Sequence, residues 1–301
     1  MKLQKLENYY LSSELVEQFD LVVVYSCLES RSANILNRLK DNEGKFFVIA
    51  DQSNCSDNFA NIDCENLQVF DAKRCLQAVQ AILLNLDGAY KVAVDISCLP
   101  HAVMADILHL ISTTESNFQI EVVVLYSLAK FTLPGSLVYA NESIEPVHQY
   151  FAGWSSPETK PTSLVLGLGY EPNKAEGASE YFEPSDQWVF IPSSPIPAFL
   201  TEVHNNNSNL IKKTPQDRTI EYNVADPEVT YGQLALVISA LAKKSNPVLL
   251  PFGPKIFFFL CLVQCLAHPE VGVWRVTGVE DRGSQDIVSS EHVIGVRCVF
   301  S

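Results

Sequence analysis

Apolar runs of five to eight residues, nearly unbroken, alternate with segments whose apolar residues recur every three or four positions. This alternation constrains the fold more than any other feature. Leu21 to Ser26 is followed by residues 29–42, where Ala33, Ile35, Leu36 and Leu39 make an inward helical stripe. Phe46 to Asp51, Leu67 to Asp71, Val92 to Ser97 and Ile120 to Ser127 read as further strands, with helices after the third and fourth. Strands with no polar face must be covered on both sides, and a parallel sheet flanked by helices provides that cover.

The pattern then runs a second time. Ser163 to Gly169, Trp188 to Pro192, Ile220 to Val224, Val248 to Phe252 and Val271 to Val276 read as strands, with helices over Asn173 to Tyr181, Val229 to Lys243 and Lys255 to Ala267. Asp71 and Asp226 each follow a third strand, and Pro100 and Pro254 each open the helix after a fourth. A proline suits a first helical turn, where no N–H is needed. The repetition predicts an α/β protein of two tandem Rossmann-like units, each a mostly parallel sheet with helices on both faces.

The units are expected over residues 1–132, with an N-terminal helix, and 162–301. Residues 133–161 carry Pro134, Gly135, Pro146, Gly153, Pro157 and Pro161, which suits a connector with at most short strands. Residues 192–218 interrupt the second unit and read either as a surface loop or as a mobile lid.

Composition narrows the classes of partner. The formal charge of −14, from 35 acidic and 21 basic residues, comes without a Lys/Arg cluster, so duplex nucleic acid is not an expected partner. The longest apolar run, Ile256 to Ala267, is broken by Gln264 and falls short of the ~20 residues needed to cross a bilayer. Nothing resembles a secretory signal, so the expected address is cytoplasmic and membrane partners are not expected. The eight cysteines form no CxxC pair, and Cys27, Cys75, Cys98, Cys261 and Cys265 lie in or beside apolar segments. They read as reduced core residues, with no metal or other cofactor expected.

Parallel sheets present ligands at the carboxyl ends of their strands, so the loops after the first and fourth strands are the candidate sites. In the first unit they contain Ser26 and Arg31, then Ser97 and His101. In the second they contain Gly167, Gly169 and Lys174, then Gly253 and Lys255. Small polar residues and helix-terminal N–H groups there suit a small anion, with Lys255 and His101 adding charge. Ser26 and Ser97 serve equally well as helix caps. Asp95 is poised either to orient Ser97 or His101 or to hold a neighbouring loop backbone. The four loops are expected to meet in one cleft.

The loop Gly253-Pro254-Lys255, placed after a fourth strand and before an apolar helix, resembles the corresponding feature of CRISPR-associated Rossmann-fold (CARF) sensors. Ser97 to His101 holds the same place without the glycine and lysine. Two such units in one chain are also similar in outline to the SAVED sensors of cyclic nucleotides. The resemblance implies a regulatory protein that senses a small nucleotide or other anion, in a prokaryotic defence system. Two other functions fit the residues: a hydrolase or phosphodiesterase using Asp95, Ser97 and His101, or a non-catalytic adaptor subunit of a larger complex.

Overall fold

The computed structural model describes residues 1–11, 17–50, 66–133, 141–153, 160–278 and 286–301. It divides into two units, Met1–Lys130 with Ser284–Ser301, and Phe131–Gly283. The first begins with strands β1 (Leu3–Tyr9) and β2 (Leu21–Tyr25), helix α1 (Asn34–Arg38), and strands β3 (Lys45–Ile49) and β4 (Leu67–Phe70). Helix α2 (Ala72–Leu83), strand β5 (Tyr90–Asp95), helix α3 (His101–Thr113) and strand β6 (Ile120–Ala129) follow.

The second unit holds β7 (Asn141–Pro146), β8 (Thr162–Gly167), α4 (Lys174–Phe182) and β9 (Asp186–Ser193). It continues through α5 (Pro197–Asn206), α6 (Ser208–Lys213), β10 (Thr219–Asn223), α7 (Pro227–Leu241), β11 (Asn246–Pro251), α8 (Lys255–Ala267) and β12 (Gly272–Gly278). The chain then returns to the first unit as β13 (Ser289–Phe300).

Each unit has one sheet, ordered β1-β13-β6-β5-β2-β3-β4 and β10-β9-β8-β11-β12-β7. Numbered along the chain, the parallel strands of both sheets run 3-2-1-4-5, and an antiparallel strand, β13 or β7, flanks the fifth. That is the doubly wound Rossmann order, present twice. The strand interiors form the cores: Val22, Val24, Phe46, Val48, Ala93 and Val123 in the first unit, and Leu164, Leu166, Val189, Ile191, Val248 and Leu250 in the second.

The repeated junctions match in structure. Asp71 and Asp226 cap α2 and α7, their carboxylates accepting from the backbone N–H of Arg74 at 2.8 Å and of Val229 at 3.2 Å. Pro100 and Pro254 both stand at the N-cap, one residue before the first helical turn.

Three expectations are corrected. The N-terminal residues are strand β1 rather than a helix, because β13 offers them a partner far along the chain. Residues 284–301 belong to the first unit, where β13 joins β6 to β1. The 192–218 segment is neither a loose loop nor a lid; it forms α5 and α6, which bury Val203 and Leu210 in the core of the second unit. Asn207, between the two helices, donates to the Gly169 carbonyl at 2.8 Å and fixes them to the loop after β8.

Among the described residues, no helix is long and apolar enough to cross a membrane.

Candidate functional site

In both sheets the strand order reverses between the first and fourth parallel strands, which opens a crevice at their carboxyl ends. In the first unit these strands are β2 and β5, and in the second β8 and β11. The two crevices have opposite characters.

The second-unit crevice is packed shut. A Cβ on Gly167 would lie 2.3 Å from the Phe257 ring, and one on Gly169 would lie 2.3 Å from the Phe252 carbonyl oxygen. A Cβ on Gly253 would meet the Leu168 carbonyl oxygen at 2.6 Å. These glycines therefore let two loops and a buried aromatic ring approach one another. Phe257 in turn packs on Tyr222 at 4.8 Å and Phe190 at 5.5 Å. Lys174 is paired with Glu171 of its own loop at 2.6 Å. Lys255 is the first residue of α8 and is partly exposed.

Polar groups and thiols line the first-unit crevice. Ser26, fully buried, continues the β2 pairing by donating its N–H to the Ile49 carbonyl at 2.8 Å. Asp95, 3% exposed, accepts from the Ser97 N–H at 2.8 Å and the Ser97 hydroxyl at 2.5 Å. The same hydroxyl accepts from the Ser127 N–H at 2.7 Å. Ser97 is fully buried, so Asp95 and Ser97 form a brace that ties β5 to β6, and the hydroxyl does not face solvent. His101 is the first residue of α3 and is partly exposed.

Arg31 is the charged centre. Its side chain is only 10% exposed, and its Nε donates to Glu29 at 2.6 Å. Burial opposes the guanidinium charge, but Tyr126 and Glu29 outweigh it and hold the group firmly protonated. Burial pushes the Tyr126 phenol up, while Arg31, to which it is hydrogen-bonded, pulls the other way. Next to Arg31, the Ser30 N–H donates to the Asp286 carboxylate at 2.6 Å.

Sequence reasoning missed the thiols. Cys27 and Cys98 were expected in the core, yet both are only partly buried, because they lie beyond the strand ends. The Cys98 thiol donates to Glu29 at 3.4 Å. The Cys27 thiol lies below its ordinary value, chiefly because Cys98 donates to it; the N–H of Glu29 and the charge of Arg31 help, while burial and Glu29 oppose. Cys98 is pushed well up, first by its interaction with the Cys27 sulfur and then by burial. Cys75, Cys261, Cys265 and Cys298 are buried, as expected, while Cys55 and Cys64 lie outside the described residues.

No protein-family model matches the chain, and no curated protein is detectably similar to it. The chemistry of the crevice follows from its own groups. The donor atoms of Cys27, Glu29 and Cys98 lie within 4.8 Å of one another, a spacing that a metal ion can bridge. The Arg31 guanidinium already neutralises Glu29, and a divalent cation would meet that fixed positive charge. The cluster is better suited to thiol chemistry and to anions.

Proposed function

We propose that this chain is a regulatory protein whose first unit binds a small anionic ligand, of which a nucleotide is the leading candidate, in the crevice between the loops after β2 and β5. One observation carries the reading: a nearly buried arginine is held at the point where the strand order reverses, and its anionic partner is a carboxylate from its own loop. An arginine fork suits phosphate and carboxylate geometry. A second carboxylate, that of Asp286, sits on the Ser30 N–H. Two anionic groups of the chain thus occupy the positions that a ligand anion would take. An incoming phosphate exchanges with Glu29, whose side chain is 30% exposed.

The closed glycine loops of the second unit favour the first as the binding half. Together with the resemblance to CARF and SAVED sensors, this makes linear and cyclic nucleotides the first probes. A ligand that binds only the folded state raises the melting temperature by mass action. Thermal shift with that panel is expected to find a stabilising nucleotide. Titration of Arg31→Lys is then expected to show about tenfold weaker binding, because lysine lacks the planar fork. Lys255→Ala reports on the second unit in the same assay. The reading fails if no nucleotide stabilises the protein, or if Arg31→Lys binds as the wild type does while Lys255→Ala does not.

A further inference from the structure

We infer that Cys27 and Cys98 are a redox pair, oxidised by hydroperoxides to a reversible disulfide that links the loops after β2 and β5. Register carries the argument. The parallel pairing of these strands sets Leu21 against Val92, Val22 against Ala93 and Val23 against Val94. Cys27 and Cys98 keep the same offset of 71 residues, four positions beyond the last paired residues. Both chains stay in sheet geometry almost to the thiols, since Ser26 N–H bonds the Ile49 carbonyl at 2.8 Å and Ile96 N–H bonds the Leu125 carbonyl at 2.9 Å. Neighbouring strands lie about 4.8 Å apart. Disulfides need Cα atoms roughly 4.4–6.8 Å apart, so aligned cysteines on adjacent parallel strands require little backbone movement. The sulfurs already lie within 4.8 Å of each other.

The surroundings divide the labour. Cys27 has the more acidic thiol and is the attacking sulfur. Its thiolate attacks one peroxide oxygen; an S–O bond forms, the O–O bond breaks, and the departing alkoxide or hydroxide takes a proton from solvent. Cys98 then attacks the Cys27 sulfenic sulfur. The S–S bond forms, the S–O bond breaks, and hydroxide leaves as water with the Cys98 proton, passed through the Glu29 carboxylate 3.4 Å away. Two electrons pass from the two thiols to the peroxide, and a small thiol reductant restores the pair by exchange. This couple does not depend on the anion reading. Among the described residues the remaining cysteines are buried, which leaves Cys27 and Cys98 as the pair that solvent oxidants reach.

Tryptic peptides 6–31 and 92–130 each contain a single cysteine, Cys27 and Cys98 respectively. Reduced full-length protein is treated with a few equivalents of hydrogen peroxide, blocked with N-ethylmaleimide under denaturing conditions, digested, and read by mass spectrometry. The expected product is the linked peptide pair in most molecules, lost on treatment with dithiothreitol. In Cys98→Ser the Cys27 sulfenic acid should be trapped by dimedone, and in Cys27→Ser the Cys98 peptide should stay alkylated. Three results overturn the inference: both peptides fully alkylated at a dose that oxidises free cysteine, Cys27 linked to a different cysteine, or one equivalent of zinc in the purified protein that shields both thiols. The wild-type readout stands even where a variant fails to fold.

Discussion

Replacing Ser97 with alanine tests whether the crevice is built on a brace or on a nucleophile. The hydroxyl donates to a buried carboxylate at 2.5 Å and accepts from the buried Ser127 N–H at 2.7 Å. Alanine removes both bonds. A stranded buried donor costs about 1–3 kcal/mol, and a lost bond to a charged acceptor about 1.5–3 kcal/mol. Asp95 keeps the Ser97 N–H at 2.8 Å, and relaxation around it recovers part of the loss. The expected destabilisation is about 3 kcal/mol, or roughly 6–12 °C in melting temperature for a unit of this size. Urea unfolding should be followed by hydrogen exchange in peptides covering β2, β5 and β6. Trp188 and Trp274 belong to the other unit, and their fluorescence would report on that unit instead. A loss below about 1 kcal/mol would refute the brace.

Gly169→Ala should destabilise the second unit by about 1–3 kcal/mol in tryptophan-detected unfolding, because its Cβ would lie 2.3 Å from a backbone oxygen. Gly232→Ala, in α7 of the same unit and with nothing within 4 Å of its Cβ, should cause no loss of stability in the same measurement. Asp226→Ala should cost about 1 kcal/mol through loss of the α7 cap, measured by urea midpoint. Burial pushes the Cys75 thiol up to about 12, so the folded state holds its proton more tightly than the unfolded chain does. That contribution to stability is complete below the ordinary thiol value and is lost as pH rises from about 8.5 toward 12. Cys75→Ala should therefore flatten the alkaline fall in melting temperature, and an unchanged slope would exclude Cys75 as a source.

The inner parallel strands of each unit were legible because burial on both faces leaves an almost uninterrupted apolar signature, as in LVVVY of β2 and VLL of β11. Edge strands carry no such mark. Asn141–Pro146 is largely polar, and Leu3–Tyr9 mixes exposed and half-buried residues; each is a strand because of a distant partner. The helices of the 192–218 segment did leave a trace, since Pro197 opens α5 and Leu200, Val203 and Leu210 keep a helical spacing onto the core. Proline, serine and asparagine elsewhere in that segment outweighed it. Arg31 was legible from its place after a strand end. The Cys27 and Cys98 pairing was not, because 71 residues separate them and only strand register brings them together.

The insertion of β13 between β6 and β1 has a consequence for biosynthesis. Ala129 ends β6, and Ser289, where β13 begins, lies 160 residues further on. At ~5–20 residues per second the ribosome needs about 8–32 s to cover that distance. Throughout that interval β6, with its sequence IEVVVLYSLA, has no partner on that edge, the kind of apolar edge that invites pairing with another chain. The second unit, whose strands are all translated before β13, is able to complete its sheet first. A released chain ending at residue 283 should therefore present a finished second unit and an open-edged first one. In the cell, that open edge is the surface on which a chaperone is expected to act.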